Sequence, residues 1–243
     1  MLSRRTVTTP IREVLDSRTF YHYLAAQYAE VVATRRAYFG AVDDIVVVHA
    51  PAAPAVLDIG CGDGVRAARL ASAVGASHLV LVDIAQADTP SVLKGRFSLV
   101  TCLWNVLGHL DGKARQLALR NTADLLAPGG RLMFDVNNRY NAAHYGFAAA
   151  FRNFAKDIIG RGDGDYLATR NVGGRMITTE VHVFSQREVR SLLRSAGLAV
   201  HREWFVNYRT GHRCHTPWAG QLVVEAKVTP TVQRSRWRNR RSP

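Results

Sequence analysis

The chain has 243 residues, 47% of them hydrophobic, and a formal net charge of +13 at neutral pH. This composition excludes an intrinsically disordered chain and is sufficient for one sizeable core, so we expect a single domain with extensions. The apolar runs are much shorter than the roughly 20 residues that a membrane span requires, so no membrane segment is predicted.

The three cysteines, Cys61, Cys102 and Cys214, are widely spaced and odd in number. Such cysteines are typical of reduced thiols rather than of a disulfide framework. The first residues carry basic side chains but no apolar core follows them, so a secretory signal is not expected. These features predict a cytoplasmic protein.

Part of the positive charge lies near the end of the chain, where Ser, Asn and Pro disfavour a stable element. A basic surface attracts nucleic-acid phosphates, so a nucleic-acid partner is one interpretation. We favour a solvated face together with a disordered basic tail at residues 231–243. The arginines of this tail are Arg234, Arg236, Arg238, Arg240 and Arg241.

A helix is predicted over residues 19–39, which contain no Gly or Pro and repeat apolar residues at steps of three and four. Its tyrosines leave two roles open, lining a substrate pocket or packing the helix onto the domain. We assign residues 1–50 to a helical segment that caps the substrate site. The tyrosines are Tyr21, Tyr23, Tyr28 and Tyr38.

An apolar run that contains Asp58 ends in three alternate glycines, Gly60, Gly62 and Gly64. It predicts a buried strand, a tight loop and a helix. Glycine admits positive φ and lets a ligand approach the main chain closely. The spacing is G-x-G-x-G rather than the G-x-G-x-x-G of a dinucleotide site, which argues against a pyrophosphate cradle.

The next predicted strand, residues 78–82, ends at Asp83, where ligands bind in open α/β sheets. A carboxylate there accepts hydrogen bonds from both hydroxyls of a ribose; the alternative is a helix cap. The segment from Ile84 to Asp88 reads like the end of a third strand, yet parallel neighbours need a crossover of a dozen or more residues. Either the sheet has lost one βα unit or residues of the full protein are absent from this sequence.

These motifs resemble the class I S-adenosylmethionine-dependent methyltransferases. The resemblance implies an α/β, Rossmann-like sheet of seven strands with an antiparallel last strand, which leaves open the loss of one βα unit after Asp83. It implies S-adenosylmethionine as cofactor, with Asp83 at the ribose and Asp88 at the adenine. The cofactor contacts that it implies are Asp58, Gly60, Cys61, Gly62, Gly64, Asp83, Ile84, Asp88, Trp104 and Asn105.

A fourth strand is predicted at residues 97–103 and a fifth at 131–136, separated by a helix that ends before Ala127-Pro128-Gly129-Gly130. The segment from Cys102 to Asp111 resembles glycine and sarcosine N-methyltransferases. That resemblance implies that Asn105 faces substrate and cofactor, and that Asn138 and Tyr140 reach an acceptor amine. His109 titrates near neutral pH and has two open roles, accepting a proton from the acceptor or supporting the turn.

Residues 141–184 are predicted to form a lid, with a helix near 148–159 and an antiparallel flap. A capping box at Ser185 opens the next helix, and two final strands complete the methyltransferase domain of residues 51–230. The cluster from His212 to His215 has zinc-ligand residue types, but its spacing is too tight for a usual tetrahedral site, so no metal is predicted.

Methyl transfer requires proximity, alignment and exclusion of water rather than a covalent nucleophile. We therefore predict methyl transfer to a small-molecule acceptor, at an amine nitrogen rather than an oxygen, by a monomer or homodimer. One alternative is an RNA or protein methyltransferase, although the N-P-P-[YF] tetrapeptide of such enzymes is absent where Asn105-Val106-Leu107-Gly108 stands. The other is a catalytically inactive binding module with the same fold.

Overall fold

The computed structural model describes residues 14–24, 27–82, 93–172 and 174–229. The helices are α1 (Ser17–Leu24), α2 (Tyr28–Ala33), α3 (Arg36–His49), α4 (Val65–Ala73), α5 (Gly112–Leu125), α6 (Ala142–Tyr145), α7 (Phe147–Ile158) and α8 (Gln186–Ser195). The strands are β1 (Val14–Leu15), β2 (Ala55–Ile59), β3 (His78–Val82), β4 (Phe97–Cys102), β5 (Leu126–Val136), β6 (Asp165–Val172), β7 (Arg175–His182), β8 (Leu198–Val206), β9 (Arg213–Cys214) and β10 (Gln221–Val228).

The central sheet has seven strands in the order β3-β2-β4-β5-β10-β8-β9. Strands β3, β2, β4 and β5 are parallel neighbours, whereas β10 runs antiparallel to both β5 and β8. This confirms the predicted seven-stranded sheet with a reversed last strand. The carboxyl ends of β2, β3, β4, β5 and β8 therefore meet at one edge, where α/β sheets bind ligands.

The seventh strand is the two-residue β9, which pairs with the carboxyl end of β8. Within the described part of the chain, no strand lies outside β3. Residues 83–92 are outside the described residues, so the predicted contacts of Asp83, Ile84 and Asp88 are not tested. The choice between a lost βα unit and missing residues stays open.

Helices cover both faces of the sheet because the buried side chains of each strand alternate between two cores. Leu57 and Val100 face the core that includes residues of α5 and α8. Their neighbours Val56 and Leu99 face the core formed with α3 and α4. This is the pattern of strands buried on both faces, with near-continuous apolar runs.

The single helix predicted over residues 19–39 is wrong. The segment forms three helices, with a break at Thr34 and Arg35, and α3 continues to His49. Residues 37–49 bury Tyr38, Val42 and Ile45 against the sheet. The longest of the three helices, α3, is thus the one that packs on the sheet, because packing of an apolar face stabilises a helix more than local preference does.

The fifth strand also differs from its prediction, because it begins at Leu126 rather than at residue 131. Phe97 of β4 pairs with Leu126 and Leu99 pairs with Arg131, so the residues between are an irregularity in the ladder. Pro128 cannot donate a hydrogen bond and Gly129 has φ of 76°. The turn residues interrupt the pairing without ending the strand.

A second sheet has the order β1-β7-β6. The hairpin of β6 and β7 is antiparallel, as the flap prediction requires. The sequence did not predict β1, which pairs in parallel with β7 through Val14 opposite Thr178. Phe20 and Leu24 of α1 pack on Ile177 of the same hairpin, so the N-terminal segment and the hairpin form one layer.

Candidate cofactor and acceptor site

The glycine loop after β2 has three left-handed residues, with φ of 78° at Gly60, 55° at Gly62 and 74° at Gly64. A Cβ at Gly60 would lie 2.6 Å from Cγ2 of Val106, which follows β4. The amide of Gly60 donates to the carbonyl of Val82 at the end of β3, at 2.7 Å. The loop thus lies against the ends of β3 and β4, the two strands that flank β2.

The next residue of the loop, Cys61, directs its amide toward the same Val82 carbonyl at 3.4 Å. Its side chain is partly buried. Gly64 N-caps α4, and a Cβ there would lie 2.9 Å from Cδ1 of Leu81. Both ends of the loop are therefore tightly packed.

Asp58 lies on β2, 8% exposed, two residues before the first glycine. The Thr101 hydroxyl on β4 donates to its Oδ1 at 2.5 Å. Burial raises the pKa of Asp58 to about 6, while the Thr101 hydrogen bond and the charge of Arg66 oppose that rise. The carboxylate is thus a buried acceptor that a positively charged ligand would stabilise in its ionised form.

The turn after β4 has two consecutive non-glycine residues with positive φ, Trp104 at 69° and Asn105 at 55°. Asp135 on β5 accepts the Trp104 amide at 2.6 Å with one carboxylate oxygen and the Tyr38 hydroxyl at 2.7 Å with the other. Its main-chain carbonyl accepts the Asn105 amide at 3.2 Å. Asp135 therefore holds this turn, and burial raises its pKa.

Asn105 is 3% exposed. Its Oδ1 accepts the amide of Asn137 at 2.9 Å, joining the ends of β4 and β5. Its Nδ2 is buried and has no hydrogen-bond partner among the described residues. A buried donor without a partner costs free energy, and this one packs against Gly108 inside the turn.

His109 lies beneath α1 at the end of the same turn. Its Nε2 is 2.8 Å from the Tyr21 hydroxyl and its Nδ1 is 3.2 Å from the Ser17 hydroxyl. Burial lowers the pKa of His109 to about 4, so the ring is neutral at physiological pH. Both ring nitrogens are engaged with the N-terminal segment. A role as acceptor base stays a prediction.

Tyr140 follows β5, as the sequence indicates, and its hydroxyl donates to Asp157 of α7. The other oxygen of Asp157 accepts from Arg139 at 2.8 Å. Burial and Asp157 raise the pKa of Tyr140 to about 12. Asn138 is also turned inward, donating to the carbonyls of Pro217 and Gly220. In this structure the side chains of Asn138 and Tyr140 hold the loop after β5 through hydrogen bonds. Their predicted contact with the methyl acceptor stays a prediction.

Tyr208, just after β8, lies on the same edge of the sheet. Its hydroxyl accepts from Nε1 of Trp104 at 3.1 Å. The ring of His144 lies 5.0 Å away and the guanidinium of Arg35 lies 4.3 Å above the Tyr208 ring. Burial lowers the pKa of His144, and the charges of Arg35 and Arg170 lower it further. The surroundings of Tyr208 are therefore aromatic and electropositive.

Sequence reasoning did not identify Asp135, Arg35, His144 or Arg170. Asp135 carried a usable signal, an acid within the apolar fifth strand, like Asp58 in β2. The other three depend on how α6, the helices before β2 and the hairpin fold over Tyr208. No local pattern records that arrangement.

In the part of the chain that is described, no group of three or more His, Cys, Asp or Glu side chains is arranged to hold a metal ion. Of the predicted cluster, Arg213 and Cys214 form the edge strand β9, and Cys214 Sγ contacts the carbonyls of His212 and Ala219. No helix among the described residues is long and apolar enough to cross a membrane.

A family model described as a methyltransferase domain matches residues 22–203. Among curated proteins, the chain is 29% identical over 134 residues to a ubiquinone biosynthesis O-methyltransferase of Aromatoleum aromaticum. That alignment covers 46% of this chain and 56% of the relative, so the chain spans little more than half the length of that protein.

Among solved structures, an S-adenosylmethionine-dependent methyltransferase of Clostridium acetobutylicum matches with a TM-score of 0.56 and 12% identity, over 86% of this chain and 99% of its own. The 1,6-didemethyltoxoflavin-N1-methyltransferase of Burkholderia thailandensis, solved with its substrate and S-adenosylhomocysteine, matches with a TM-score of 0.55 and 16% identity. That match covers 89% of this chain and 92% of its own. At these identities the likeness concerns the fold alone.

Proposed function

The chain belongs to the methyltransferase domain family, and we propose that it methylates a small-molecule acceptor at an amine nitrogen rather than an oxygen. S-adenosylmethionine is the cofactor, and when bound it supplies a methyl group already activated on a sulfonium. The observation that carries the cofactor part of the proposal is the glycine loop, whose left-handed residues pack against Val106 at the carboxyl edge of the sheet. The choice of nitrogen rests on the resemblance of the segment from Cys102 to Asp111 to glycine and sarcosine N-methyltransferases.

The residues at this edge fit such a cofactor. A side chain at Gly60 or Gly64 would collide with Val106 or Leu81, so the glycines bring the loop close to the carboxyl edge of the sheet, where α/β sheets bind ligands. Asp58 offers a buried carboxylate whose ionised form a cationic ligand favours. We assign cofactor contacts to the loop residues Gly60 to Gly64, to Asp58, and to Trp104 and Asn105. Asp83, Ile84 and Asp88 join this set by the resemblance alone.

The acceptor is assigned to the sheet edge at Tyr208, whose ring contacts His144 of α6 and the guanidinium of Arg35. Attack requires an unprotonated nitrogen, because an ammonium has no lone pair to offer. The charges of Arg35 and Arg170, which lower the pKa of His144, disfavour a second positive charge nearby. They would therefore favour the neutral form of an acceptor amine. Water or a side chain collects the proton that leaves with transfer.

Oxygen transfer is the second candidate, and the same observation supports it. A positive environment also stabilises a phenolate or another oxyanion. The curated relative is a ubiquinone biosynthesis O-methyltransferase, which is in keeping with an oxygen acceptor. The electropositive surroundings of Tyr208 thus favour a neutral amine or an oxyanion over a protonated amine. They do not decide between the neutral amine and the oxyanion.

We assign His109 and Tyr140 to holding the walls of the site. His109 fixes α1 through Tyr21 and Ser17, and Tyr140 fixes α7 through Asp157. Through these contacts the N-terminal segment and the 141–184 lid exclude water from the reaction. The predicted role of His109 as proton acceptor would require it to exchange its contact with Tyr21 for one with the acceptor.

Calorimetric titration with S-adenosylmethionine tests the cofactor assignment. We expect binding, and a thermal stabilisation that at 100 times the Kd corresponds to about 2.7 kcal/mol. If the titration gives no binding heat and the cofactor gives no thermal stabilisation, the inactive binding module is favoured instead. Truncation after residue 230 should leave this binding unchanged.

Transfer is then measured with matched acceptors, an aromatic amine and the corresponding phenol, using cofactor labelled on the methyl group. Mass spectrometry locates the label on nitrogen or oxygen. If only the phenol carries the label, the proposed transfer to nitrogen is wrong and transfer to oxygen takes its place. Label that enters only added RNA or protein would overturn the small-molecule proposal.

A further inference from the structure

Asp135 is a buried ionisable side chain, 2% exposed, near the carboxyl end of β5. Burying a carboxylate is unfavourable unless hydrogen bonds satisfy it. Here one oxygen accepts the Trp104 amide at 2.6 Å and the other accepts the Tyr38 hydroxyl at 2.7 Å. These two hydrogen bonds are directed to the turn after β4 and to α3.

The turn itself needs such support. Trp104 and Asn105 both have positive φ without being glycine. Consecutive residues in this sparsely populated region persist only where their surroundings hold them. The amides of both residues point at Asp135, one at its side chain and one at its carbonyl. An aspartate at this position therefore supplies two acceptors to two successive amides.

The position of the turn is passed directly to the glycine loop. Val106 follows Asn105, and its methyl group occupies the space that a Cβ at Gly60 would enter. The side-chain amide of Asn105, whose Nδ2 has no hydrogen-bond partner among the described residues, is carried by the same turn. A shift of the turn would move Val106 and Asn105 together, changing one wall of the glycine loop and one hydrogen-bond donor.

We propose that Asp135 is a positioning residue for S-adenosylmethionine, acting through the Trp104–Asn105 turn and Val106 on the glycine loop. The inference rests on the proposed function, since it concerns the same cofactor. It assigns the Trp104 contact to cofactor affinity and the Tyr38 contact to attachment of α3. The two oxygens of one carboxylate thus have separable effects.

Three variants of the full chain separate them. Asp135→Leu keeps the approximate side-chain shape and removes both carboxylate oxygens, while the main-chain carbonyl that accepts from Asn105 remains. Asp135→Asn keeps one acceptor for the Trp104 amide, because a tyrosine hydroxyl can accept from the new amide group as well as donate. Tyr38→Phe removes only the α3 contact. The Kd of S-adenosylmethionine is measured by calorimetry for each, alongside the thermal midpoint.

We expect Asp135→Leu to raise the Kd about tenfold or more, the effect of losing a hydrogen bond to a charged group. Asp135→Asn and Tyr38→Phe should stay within about threefold of the parent. Equal losses in Asp135→Leu and Tyr38→Phe would make the role one of general packing and overturn the proposal. If the leucine variant does not fold, a tenfold loss in Tyr38→Phe alone overturns it.

The NMR signals of the Trp104 amide and indole provide a readout without cofactor, assigned with Trp104→Phe. They should shift in Asp135→Leu and remain close to the parent in Asp135→Asn. Unchanged signals in the leucine variant would show that Asp135 does not hold the turn. If the parent itself fails to bind S-adenosylmethionine, the proposed function fails, while these signals still decide whether Asp135 positions the turn.

Discussion

The carboxyl edge of the central sheet buries polar side chains, whereas the segment of residues 141–184 exposes apolar ones. At the sheet edge, polar groups are buried and paired across strands, as Asp58 is with Thr101 and Asp135 with Trp104. On α7, which belongs to that segment, apolar groups face outward, with Phe147 71% exposed and Ile158 69% exposed. The sheet edge is thus fixed by hydrogen bonds between its own residues, whereas α7 has an apolar surface that no described residue covers.

The sharpest way to break this comparison is to make the same change in both regions. Phe134 on β5 is 1% exposed, so Phe134→Ala should lower the free energy of unfolding by about 3–5 kcal/mol through a cavity. Phe147→Ala on α7 should change it by no more than about 0.5 kcal/mol. Urea denaturation measures both. A large loss in Phe147→Ala would mean that the exposed face of α7 is covered in solution.

The buried titratable groups give a second contrast, since burial raises the pKa of Asp58 to about 6 and lowers that of His109 to about 4. The raised carboxyl pKa stabilises the fold at low pH, and this contribution is lost as pH rises through about 6. The lowered imidazole pKa stabilises the fold at neutral pH, and this contribution is lost as pH falls through about 4. In the parent chain the two effects largely oppose one another.

Single substitutions should separate them. His109→Gln retains the Asp58 effect, so its stability should decrease as pH rises from 4 to 6. Asp58→Asn retains the His109 effect, so its stability should increase over the same rise in pH. Each effect amounts to about 3 kcal/mol at most. Urea denaturation at several pH values compares the two variants, and parallel profiles would contradict the burial of either group.

A smaller effect tests how closely the turn after β4 packs on the glycine loop. Gly60→Ala and Gly75→Ala both place alanine at positive φ, with φ of 78° and 60°, at a shared cost of about 1–2 kcal/mol. A Cβ at Gly60 meets Val106 at 2.6 Å, whereas at Gly75 nothing lies within 4 Å. Overpacking should make the Gly60 variant less stable by a further 1–3 kcal/mol or so.

Cofactor titration completes this test, because only Gly60→Ala should weaken the binding of S-adenosylmethionine. Equal binding by the two alanine variants would mean that the loop accommodates the methyl group by moving. The packing of Val106 on Gly60 would then not contribute to the cofactor site.

The fold was largely predictable because its signals are local and repeated. Apolar runs with glycines between them predicted the strands, and the G-x-G-x-G spacing with Asp58 predicted the family. The end of β5 was predicted correctly but not its start. Leu126 already pairs with Phe97, and the ladder resumes at Arg131 after an interruption that contains Pro128. Helix preference could not locate the break at Thr34 and Arg35.

The site was less predictable, because its important contacts join residues far apart in the chain. The sequence identified His109 and Tyr140 by type and position, but not that Tyr21 and Asp157 engage them. It identified Asn105 but not Asp135, which accepts the main-chain amides of both Trp104 and Asn105. A single sequence shows which residues are capable of chemistry, while the packing decides whether their polar atoms are already paired.

The pairing of β1 with β7 has a consequence for how the chain folds. Val14 is synthesised early, yet its partner Thr178 follows only after most of the central sheet has been made. Contacts between distant parts of a chain are slow to form, because the intervening loop must be closed first. We therefore expect the N-terminal segment to dock late in folding, onto a sheet and hairpin that have already formed.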